Sequence, residues 1–238
     1  MPPPEPERVA CGDLDLLVRR ADPDRWLASR FIADRRRRAD VIALYAFDHE
    51  LERARRVTSE ARLAEIRLSW WRDVVDEIFA GEAVRAHPAA HALAGAVARH
   101  ALPRAPIEAM IEARLAVLGR AGLDIDRALL WARDVGGSAA VLAARVLDPA
   151  ARTEAAEPAG QVWGLVLLRR AGRADHAELD RAIAESLPRA SAMARGLSAR
   201  AFPAAACATL ARARFDSGGL FEVERRLRLV RAVARGIL

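Results

Sequence analysis

The segment Val41–Glu77, VIALYAFDHELERARRVTSEARLAEIRLSWWRDVVDE, decides the fold class of this sequence. Apolar residues recur in it at spacings of three and four, which is the period of a helix face and not of a strand. Thr58 and Ser59 interrupt the pattern, so it predicts two consecutive helices, the second of which ends at Gly81. The apolar faces consist of Val41, Leu44, Tyr45, Phe47 and Leu51, and then of Leu63, Ile66, Trp70, Trp71, Val74, Ile78 and Phe79.

The composition extends the helical prediction to the whole chain. Hydrophobic residues make up 53% of the 238 residues and aromatic residues only 5%. Most of the hydrophobic residues are Ala, Leu and Val, and the residues that favour strands are few. We therefore predict an all-α protein, with a disordered lead over residues 1–12 and one helical domain over residues 13–238. Trp70, Trp71 and Trp131 are expected to be largely buried.

Several classes of protein are excluded by what the sequence lacks. No apolar run reaches the roughly 18 residues of a membrane span, and the start MPPPEPE does not have the pattern of a signal peptide. Cys11 and Cys207 are too few for a disulfide framework or a zinc site. These features predict a cytoplasmic protein.

The basic charge has two interpretations. A net charge of +6 is typical of nucleic-acid-binding proteins. Every basic side chain is Arg, however, and the sequence also lacks Asn, which indicates genome base composition. We therefore expect no nucleic-acid partner. The run Arg35–Arg38 is interpreted as a solvated helix face, with a patch that binds nucleic acid or acidic lipid as the alternative.

Capping residues and prolines divide the rest of the chain into further helices. Asp13, Asp22-Pro23, Asp34, Asp124 and Pro158 are expected to start helices. Other helices are predicted over Pro88–His100, from Pro106, and over Ala174–Ser186, Pro188–Leu197, Pro203–Phe215 and Gly219–Leu238. The histidines His49, His87, His91 and His100 show no metal-binding pattern and are assigned structural roles.

Two adjacent glycines interrupt the long apolar helix predicted over Asp124–Leu147. Gly136 and Gly137 together cost about 1 to 2 kcal/mol of helix propensity, so the fold must gain something from them. The residues themselves indicate close helix packing or a kink.

Several of these segments together resemble a known family. Tyr45-Ala46-Phe47 before an acidic helix, Arg67-Leu68-x-Trp70-Trp71-Arg72-Asp73, Gly81 and His87-Pro88 are similar to the N-terminal half of squalene/phytoene synthases. The resemblance implies an isoprenoid-synthase-type helical bundle around a central cavity, over about residues 20–215. Family members with intact sites join two prenyl diphosphates head to head. They hold Mg²⁺ on two D-x-x-x-D motifs that face each other across the cavity.

The resemblance places the two motifs on residues of unexpected chemistry. The first motif falls on Glu52 and Arg56, one turn after Asp48, and the second falls near Gln161, Arg169 and Arg170. The cavity-lining positions are Tyr45, Gly136, Gly137, Trp163 and Gly164. No metal ligand and no catalytic residue is predicted from this match.

The residues themselves leave other possibilities open. Asp48 and Glu52 have the i, i+4 spacing of a carboxylate pair that binds Mg²⁺, with ion pairing to Arg53, Arg55 and Arg56 as the alternative. Asp73 and Glu77 have the same spacing, with surface ion pairing as the alternative. Arginines bind diphosphate directly by paired hydrogen bonds, so Arg56 with Arg169 or Arg170 is a further candidate anion site.

The resemblance therefore implies two functions. The chain is similar to a divergent branch of the family that includes a mitochondrial assembly factor for respiratory complex I, in which both motifs are eroded. This implies a non-catalytic protein without a cofactor that binds a prenyl lipid or prenyl diphosphate, or a protein partner at the inner membrane. The alternative is a working head-to-head prenyl transferase that uses Mg²⁺.

Overall fold

Helices form all the regular structure in the part of the chain that the structure describes. The computed structural model describes residues 5–56, 61–150, 152–211 and 222–238, with side chains from Asp13 onward, apart from those of Arg55, Arg56 and Glu222. The predicted all-α fold is confirmed over these ranges. The helices are α1 Glu5–Ala21, α2 Pro23–Ser29, α3 Arg35–Arg56, α4 Ala61–Ala80, α5 Pro88–His100, α6 Arg104–Leu115, α7 Ile125–Ala132, α8 Ser138–Leu147, α9 Glu157–Arg170, α10 His176–Ala194 and α11 Glu222–Arg235.

Side-chain caps fix many of the helix starts where they were predicted. Asp22, Asp34 and Asp124 each accept a hydrogen bond from a backbone N–H in the first turn of α2, α3 and α7. Asp175 does the same for α10, and His87 Nδ1 accepts from the backbone N–H of Ala89 at the start of α5. Gly81 follows α4 with a φ of +72°, as expected of a helix-ending glycine. The predicted break at Thr58 and Ser59 lies outside the described residues.

Some boundaries differ from the prediction. α1 begins at Glu5, within the predicted disordered lead, of which residues 1–4 lie outside the described part. Glu5 and Pro6 suit a first helical turn, because acidic side chains and proline are both favoured there. α6 begins at Arg104, two residues before Pro106.

Two predictions in the C-terminal third are wrong. α10 continues through Pro188 instead of splitting there, since Ile183 and Leu187 before the proline and Ala190 and Ala194 after it belong to one buried cluster. The segment from Pro203 forms short 3₁₀ turns at Phe202–Ala204 and Ala206–Leu210 instead of an amphipathic helix. Nearly all of its residues are buried, so it has no exposed face.

The apolar face of α4 is rotated from its predicted position. Ala64, Leu68, Trp71, Val74 and Val75 are buried, whereas the predicted core residues Leu63 and Ile66 are 44% and 57% exposed. Among the tryptophans expected to be buried, Trp71 and Trp131 are buried and Trp70 is half-buried. The period of the sequence pattern was therefore correct, but its phase was wrong by about one residue.

Two hydrophobic clusters make up the core. The first is built around α3 and includes buried residues of α1, α4, α5, α6 and α8. The second is built around α9 and includes α2, α7, α10, the 3₁₀ turns and α11. No helix in the described ranges is long and apolar enough to cross a lipid bilayer.

The predicted interruption at the glycine pair is a π-helical segment, Arg133–Gly137, between α7 and α8. A Cβ atom at Gly136 would lie 2.2 Å from the carbonyl oxygen of Gly160 and 2.9 Å from the backbone nitrogen of Gly164, both on α9. The close-packing interpretation of the two glycines is therefore confirmed. A π segment widens the helix locally and is frequent at functional sites, and this one joins the two clusters.

Candidate functional site: a buried ionic cluster

Asp48 lies at the centre of a buried ionic cluster. It projects from α3 into the interior, where its side chain is almost inaccessible to solvent. Arg25 Nη1 of α2 donates to Asp48 Oδ2 over 2.5 Å, and Arg114 Nη2 of α6 donates to Asp48 Oδ1, also over 2.5 Å. Each carboxylate oxygen thus accepts a hydrogen bond from one guanidinium. Of the arginines on α3 that were considered as ion-pair partners, Arg53 pairs with Glu50, and the side chains of Arg55 and Arg56 lie outside the described residues.

Arg25 extends the cluster towards α9. Its guanidinium stacks over the ring of Tyr45, 5.1 Å from the centroid, and its Nε lies 3.6 Å from Asp22 Oδ2. The same Asp22 oxygen accepts a 3.0 Å hydrogen bond from Trp163 Nε1. Asp22 therefore caps α2 and also connects Arg25 to α9.

Arg114 extends the cluster in the other direction. It is buried, its Nη1 donates to the carbonyl oxygen of Met110, and its guanidinium lies 5.6 Å from the ring centroid of Trp131. Its Nε lies 3.8 Å from Glu52 Oε2, at a side chain that is about a quarter exposed. The Asp48/Glu52 pair expected on one helix face is present, and Arg114 stands against both carboxylates.

The charges of the cluster stabilise one another. Burial alone would raise the pKa of Asp48, but attraction to Arg114 and Arg25 outweighs it, so this pKa lies below the ordinary aspartate value. Burial would likewise lower the pKa of Arg25, and Asp48 and Asp22 raise it instead. Burial raises the pKa of the nearby Cys207 thiol to about 12, so this thiol is neutral at physiological pH. Asp48 and Arg25 are accordingly both charged in the folded protein.

The residues near the predicted second motif are distributed over separate contacts. Arg169 pairs with Asp180. Arg170 Nη2 donates to Asp24 Oδ2 over 2.5 Å and lies over the ring of Trp163. Gln161 Nε2 donates to the carbonyl oxygen of Leu129, and Gln161 lines a groove of about 560 Å³ between α7, α9 and α10.

A second buried carboxylate, that of Asp24, is in contact with two helices of the C-terminal part of the chain. Asp24 is fully buried on α2 and is contacted by Arg170 of α9 and by Arg225 of α11. The two arginines of the candidate anion site, Arg169 and Arg170, are thus each ion-paired with an aspartate. The side chain of Arg56 lies outside the described residues.

The candidate cavity-lining residues are all buried, and the structure shows what contacts them. Tyr45 lies under Arg25, and Trp163 is bonded to Asp22. Gly136, Gly137 and Gly164 face neighbouring helix atoms at distances too short for a Cβ. Their role as the walls of a prenyl cavity stays a prediction.

The remaining polar candidates have structural contacts. Asp73 and Glu77 both pair with Arg85, which supports the ion-pair alternative. His100 contacts Asp40, and His91 Nε2 lies 3.2 Å from the carbonyl oxygen of Val84. Among the side chains described, no three from His, Cys, Asp and Glu come together in a metal-binding group.

Comparison with known proteins identifies the family. The sequence profile of squalene/phytoene synthases matches residues 18–237 of the chain. The chain belongs to the squalene/phytoene synthase family. No sequence among curated proteins matches it.

Solved structures support the fold of this squalene/phytoene synthase family protein. A dehydrosqualene synthase superposes with a TM-score of 0.71 at 14% identity, and 97% of each chain is covered. YisP from Bacillus subtilis superposes with a TM-score of 0.62 at 14% identity, covering 94% of this chain and 96% of the other. Squalene synthase HpnC from Alicyclobacillus acidocaldarius gives 0.62 at 19% identity, with 98% and 97% covered. At these identities the similarity establishes the isoprenoid-synthase-type fold.

Sequence reasoning did not identify the arginines of the cluster. Arg25 is 23 residues from Asp48 and Arg114 is 66 residues away, and neither belongs to a motif. A partial signal was present at Arg114, which stands on the apolar helix face that includes Met110 and Ile111, whereas Arg25 lies between Asp24 and Trp26. A charged residue on such a face is buried only with a partner.

Proposed function

We propose that this protein is a non-catalytic member of its family that acts by binding. Its partner is either a prenyl lipid or prenyl diphosphate, or another protein. In the second case the protein acts in the assembly of a respiratory complex at a membrane surface. The observation that carries the proposal is that each oxygen of Asp48 is paired with a buried arginine, Oδ2 with Arg25 and Oδ1 with Arg114. Two positive charges fixed at 2.5 Å from this carboxylate repel a divalent cation, and so they disfavour metal binding there.

The family resemblance implies Mg²⁺ at the two motif positions, but the residues there do not provide its usual ligands. Mg²⁺ takes oxygen ligands in octahedral geometry, with one or two carboxylates and the substrate phosphates. At the first position Glu52 stands near Arg114, and Asp48 is held by two arginines. At the second, Gln161 points its amide nitrogen to Leu129, and Arg169 and Arg170 carry positive charge. This donor set does not suit Mg²⁺.

The cost of ionising a prenyl diphosphate explains why this mismatch matters. The leaving group develops negative charge, and an enzyme lowers the barrier with cations held in place for the transition state. In this protein Arg25 and Arg114 are enclosed in the core and paired with carboxylates, both of them with Asp48, Arg25 also with Asp22 and Arg114 also with Glu52. Using them would first require breaking the ion pairs that hold α2 and α6 to α3.

Product analysis tests the proposal. The purified protein is incubated with farnesyl or geranylgeranyl diphosphate and Mg²⁺, and extracts are examined for squalene, phytoene and their dehydro and cyclopropyl relatives. We expect no product, whereas a dehydrosqualene synthase assayed in parallel provides the positive control. Product formation that is abolished by Glu52→Ala and by a chelator would overturn the proposal and restore the head-to-head prenyl transferase.

A binding measurement separates the two forms of the proposal. Farnesyl diphosphate is titrated calorimetrically with Mg²⁺ and with a chelator, at two salt concentrations. Binding that does not require Mg²⁺ and weakens with salt indicates direct recognition by arginines and supports the prenyl ligand. Absence of heat for farnesyl diphosphate and for the alcohol farnesol supports the protein partner.

A further inference from the structure

The outward face of the C-terminal helix α11 carries a stripe of exposed aliphatic side chains. Val223, Leu227 and Val230 are 68%, 52% and 46% exposed. Their spacing of four and three residues places them on one side of the helix, and Ala234 continues the line. Exposed aliphatic residues that occur singly need no explanation, but an aligned stripe on a fixed helix does.

The opposite side of α11 is fixed to the body of the protein. Leu229 and Ala232 are buried in the α9-centred cluster, and Arg225 contacts the buried Asp24. The helix is therefore presented with a defined orientation. Because α11 is packed against the rest of the protein, its exposed stripe does not result from a detached helix.

Positive charge borders the stripe. Arg231 and Arg235 lie along one edge and Arg226 along the other, all exposed. The acidic side chain described on α11, Glu224, is paired with Arg228 over 2.9 Å. An aliphatic stripe between arginines is the pattern of a helix that lies in the interface of an anionic membrane.

We propose that this face of α11, made of Val223, Leu227, Val230, Arg231 and Arg235, docks the protein on an anionic lipid surface. The aliphatic side chains enter the headgroup boundary and the arginines contact acidic headgroups. A second copy of the chain suits the face less well, because face-to-face pairing brings the bordering arginines together. The inference gives a location to the membrane-surface role in the proposed function and rests on it in that respect.

Two other surfaces suit lipid less well. On α4, the exposed Leu63 and Ile66 have the exposed Glu65 between them. In the run Arg35–Arg38, Arg37 Nη1 donates to the carbonyl oxygens of Val146 and Leu147 at the end of α8, over 2.7 and 2.6 Å. Arg35 and Arg36 are exposed, but the neighbouring Asp34 is exposed as well. No stripe of exposed aliphatic side chains accompanies them among the described residues of α3.

Vesicle flotation of the full chain tests the docking surface. Vesicles of phosphatidylcholine mixed with phosphatidylglycerol are compared with vesicles of phosphatidylcholine alone. We expect binding only to the mixed vesicles. Leu227→Asp should weaken it at least about tenfold, and Arg231→Glu with Arg235→Glu should weaken it by roughly fivefold or more for each arginine.

Matched variants keep the result specific to α11. Leu130→Asp changes a leucine of α7 that is equally exposed, at 51%, and should leave binding unchanged. Arg35→Glu with Arg36→Glu tests the other basic surface and should also leave it unchanged. Circular dichroism and a melting curve for each variant show that it is folded.

Several results would overturn the inference. They are equal binding by Leu227→Asp and the unchanged chain, loss of binding only in the Arg35 and Arg36 variant, or no binding by the unchanged chain. A dimer in light scattering that Leu227→Asp converts to a monomer, without vesicle binding, would assign the face to a second copy. The condensation and calorimetric assays above do not involve α11, so each proposal fails separately.

Discussion

At the scale of single residues, Asp48 supplies the negative charge that lies between two buried arginines. It accepts from Arg25 and Arg114, which are themselves almost completely buried. A buried ion pair is weak evidence for added stability, since desolvation consumes much of the attraction between the charges. Removing Asp48 is different, because Arg25 and Arg114 then stay buried without their nearest counter-charge and keep only the more distant Asp22 and Glu52.

Asp48→Asn should therefore destabilise the protein strongly. We expect a loss of about 3 to 5 kcal/mol in the free energy of unfolding, because the variant leaves Arg25 and Arg114 facing a neutral amide. Urea denaturation followed by circular dichroism measures the change. Asp73→Asn is the control, since Asp73 is exposed and pairs with Arg85 at the surface, and it should leave the midpoint nearly unchanged. Equal midpoints for the two variants would contradict the buried charge balance.

The lowered pKa of Asp48 gives a dependence on pH. A carboxylate whose pKa is lower in the folded state stabilises the fold above its unfolded-state pKa, and this contribution is lost as the pH falls through the folded-state value. The stability difference between the unchanged protein and Asp48→Asn should thus be constant near neutral pH. It should shrink below the ordinary aspartate value of 3.8. Urea midpoints at several pH values measure it, and a difference that grows on acidification would refute this assignment.

At the scale of elements, the contact between the π segment and α9 brings the two clusters together. Gly136 meets Gly160, and Gly164 meets Ala132, with backbone atoms closer than any Cβ allows. Backbone atoms cannot rotate away as a flexible side chain can. The helix propensity lost at these glycines is therefore the cost of a close helix crossing.

Gly136→Ala tests this contact with one methyl group. Although alanine favours helices, we expect the free energy of unfolding to fall by about 2 kcal/mol or more, because the methyl overlaps the Gly160 carbonyl. Gly136→Leu should cost more. In the control Gly95→Ala the new Cβ meets only the guanidinium end of Arg99, 2.9 Å away, so the stability should change by less than about 1 kcal/mol. Urea denaturation of the three variants decides, and a neutral Gly136→Ala would remove the close-contact explanation.

At the scale of the whole molecule, buried aspartates join parts of the chain that are distant in sequence. Asp48 connects α2, α3 and α6, and Asp24 connects α2 with α9 and α11. The short helix α2 thus carries one side chain in each ionic cluster. It is placed where the two hydrophobic clusters meet, so its loss should affect both.

Asp24→Asn should loosen the C-terminal helix from the body of the protein. With the aspartate charge removed, Arg170 and Arg225 repel each other at the site where α11 is held. Hydrogen–deuterium exchange should show faster exchange in α11 than in the unchanged protein, with little change in α4 and α5. Asp180→Asn, which removes the more exposed partner of Arg169, is the control and should not affect α11. Unchanged exchange of α11 in Asp24→Asn would show that its apolar contacts alone hold it.

Much of the fold was determined by the sequence itself, because the features concerned are local. A capping aspartate lies within about three residues of the helix start that it favours, so the starts after Asp22, Asp34 and Asp124 were predictable. The helix period in Val41–Glu77 and the motifs that resemble the family were also readable along the chain. At Leu63 and Ile66 the same pattern failed, since periodicity gives the spacing of a face but only packing decides which face turns inward.

The candidate site was decided by the tertiary structure. On their own helix, Asp48 and Glu52 have the spacing of a carboxylate pair that binds a metal ion. Arg25 and Arg114 reach Asp48 from other helices, and the contact of Gly136 with Gly160 joins positions 24 residues apart. The sequence by itself determined an all-α fold, a resemblance to its family and a glycine pair within a helix. Only the folded arrangement of α2, α6 and α9 around α3 decided that the carboxylate of Asp48 is paired with buried arginines. This pairing depends on which helix faces meet, and the order of residues within one helix does not show it.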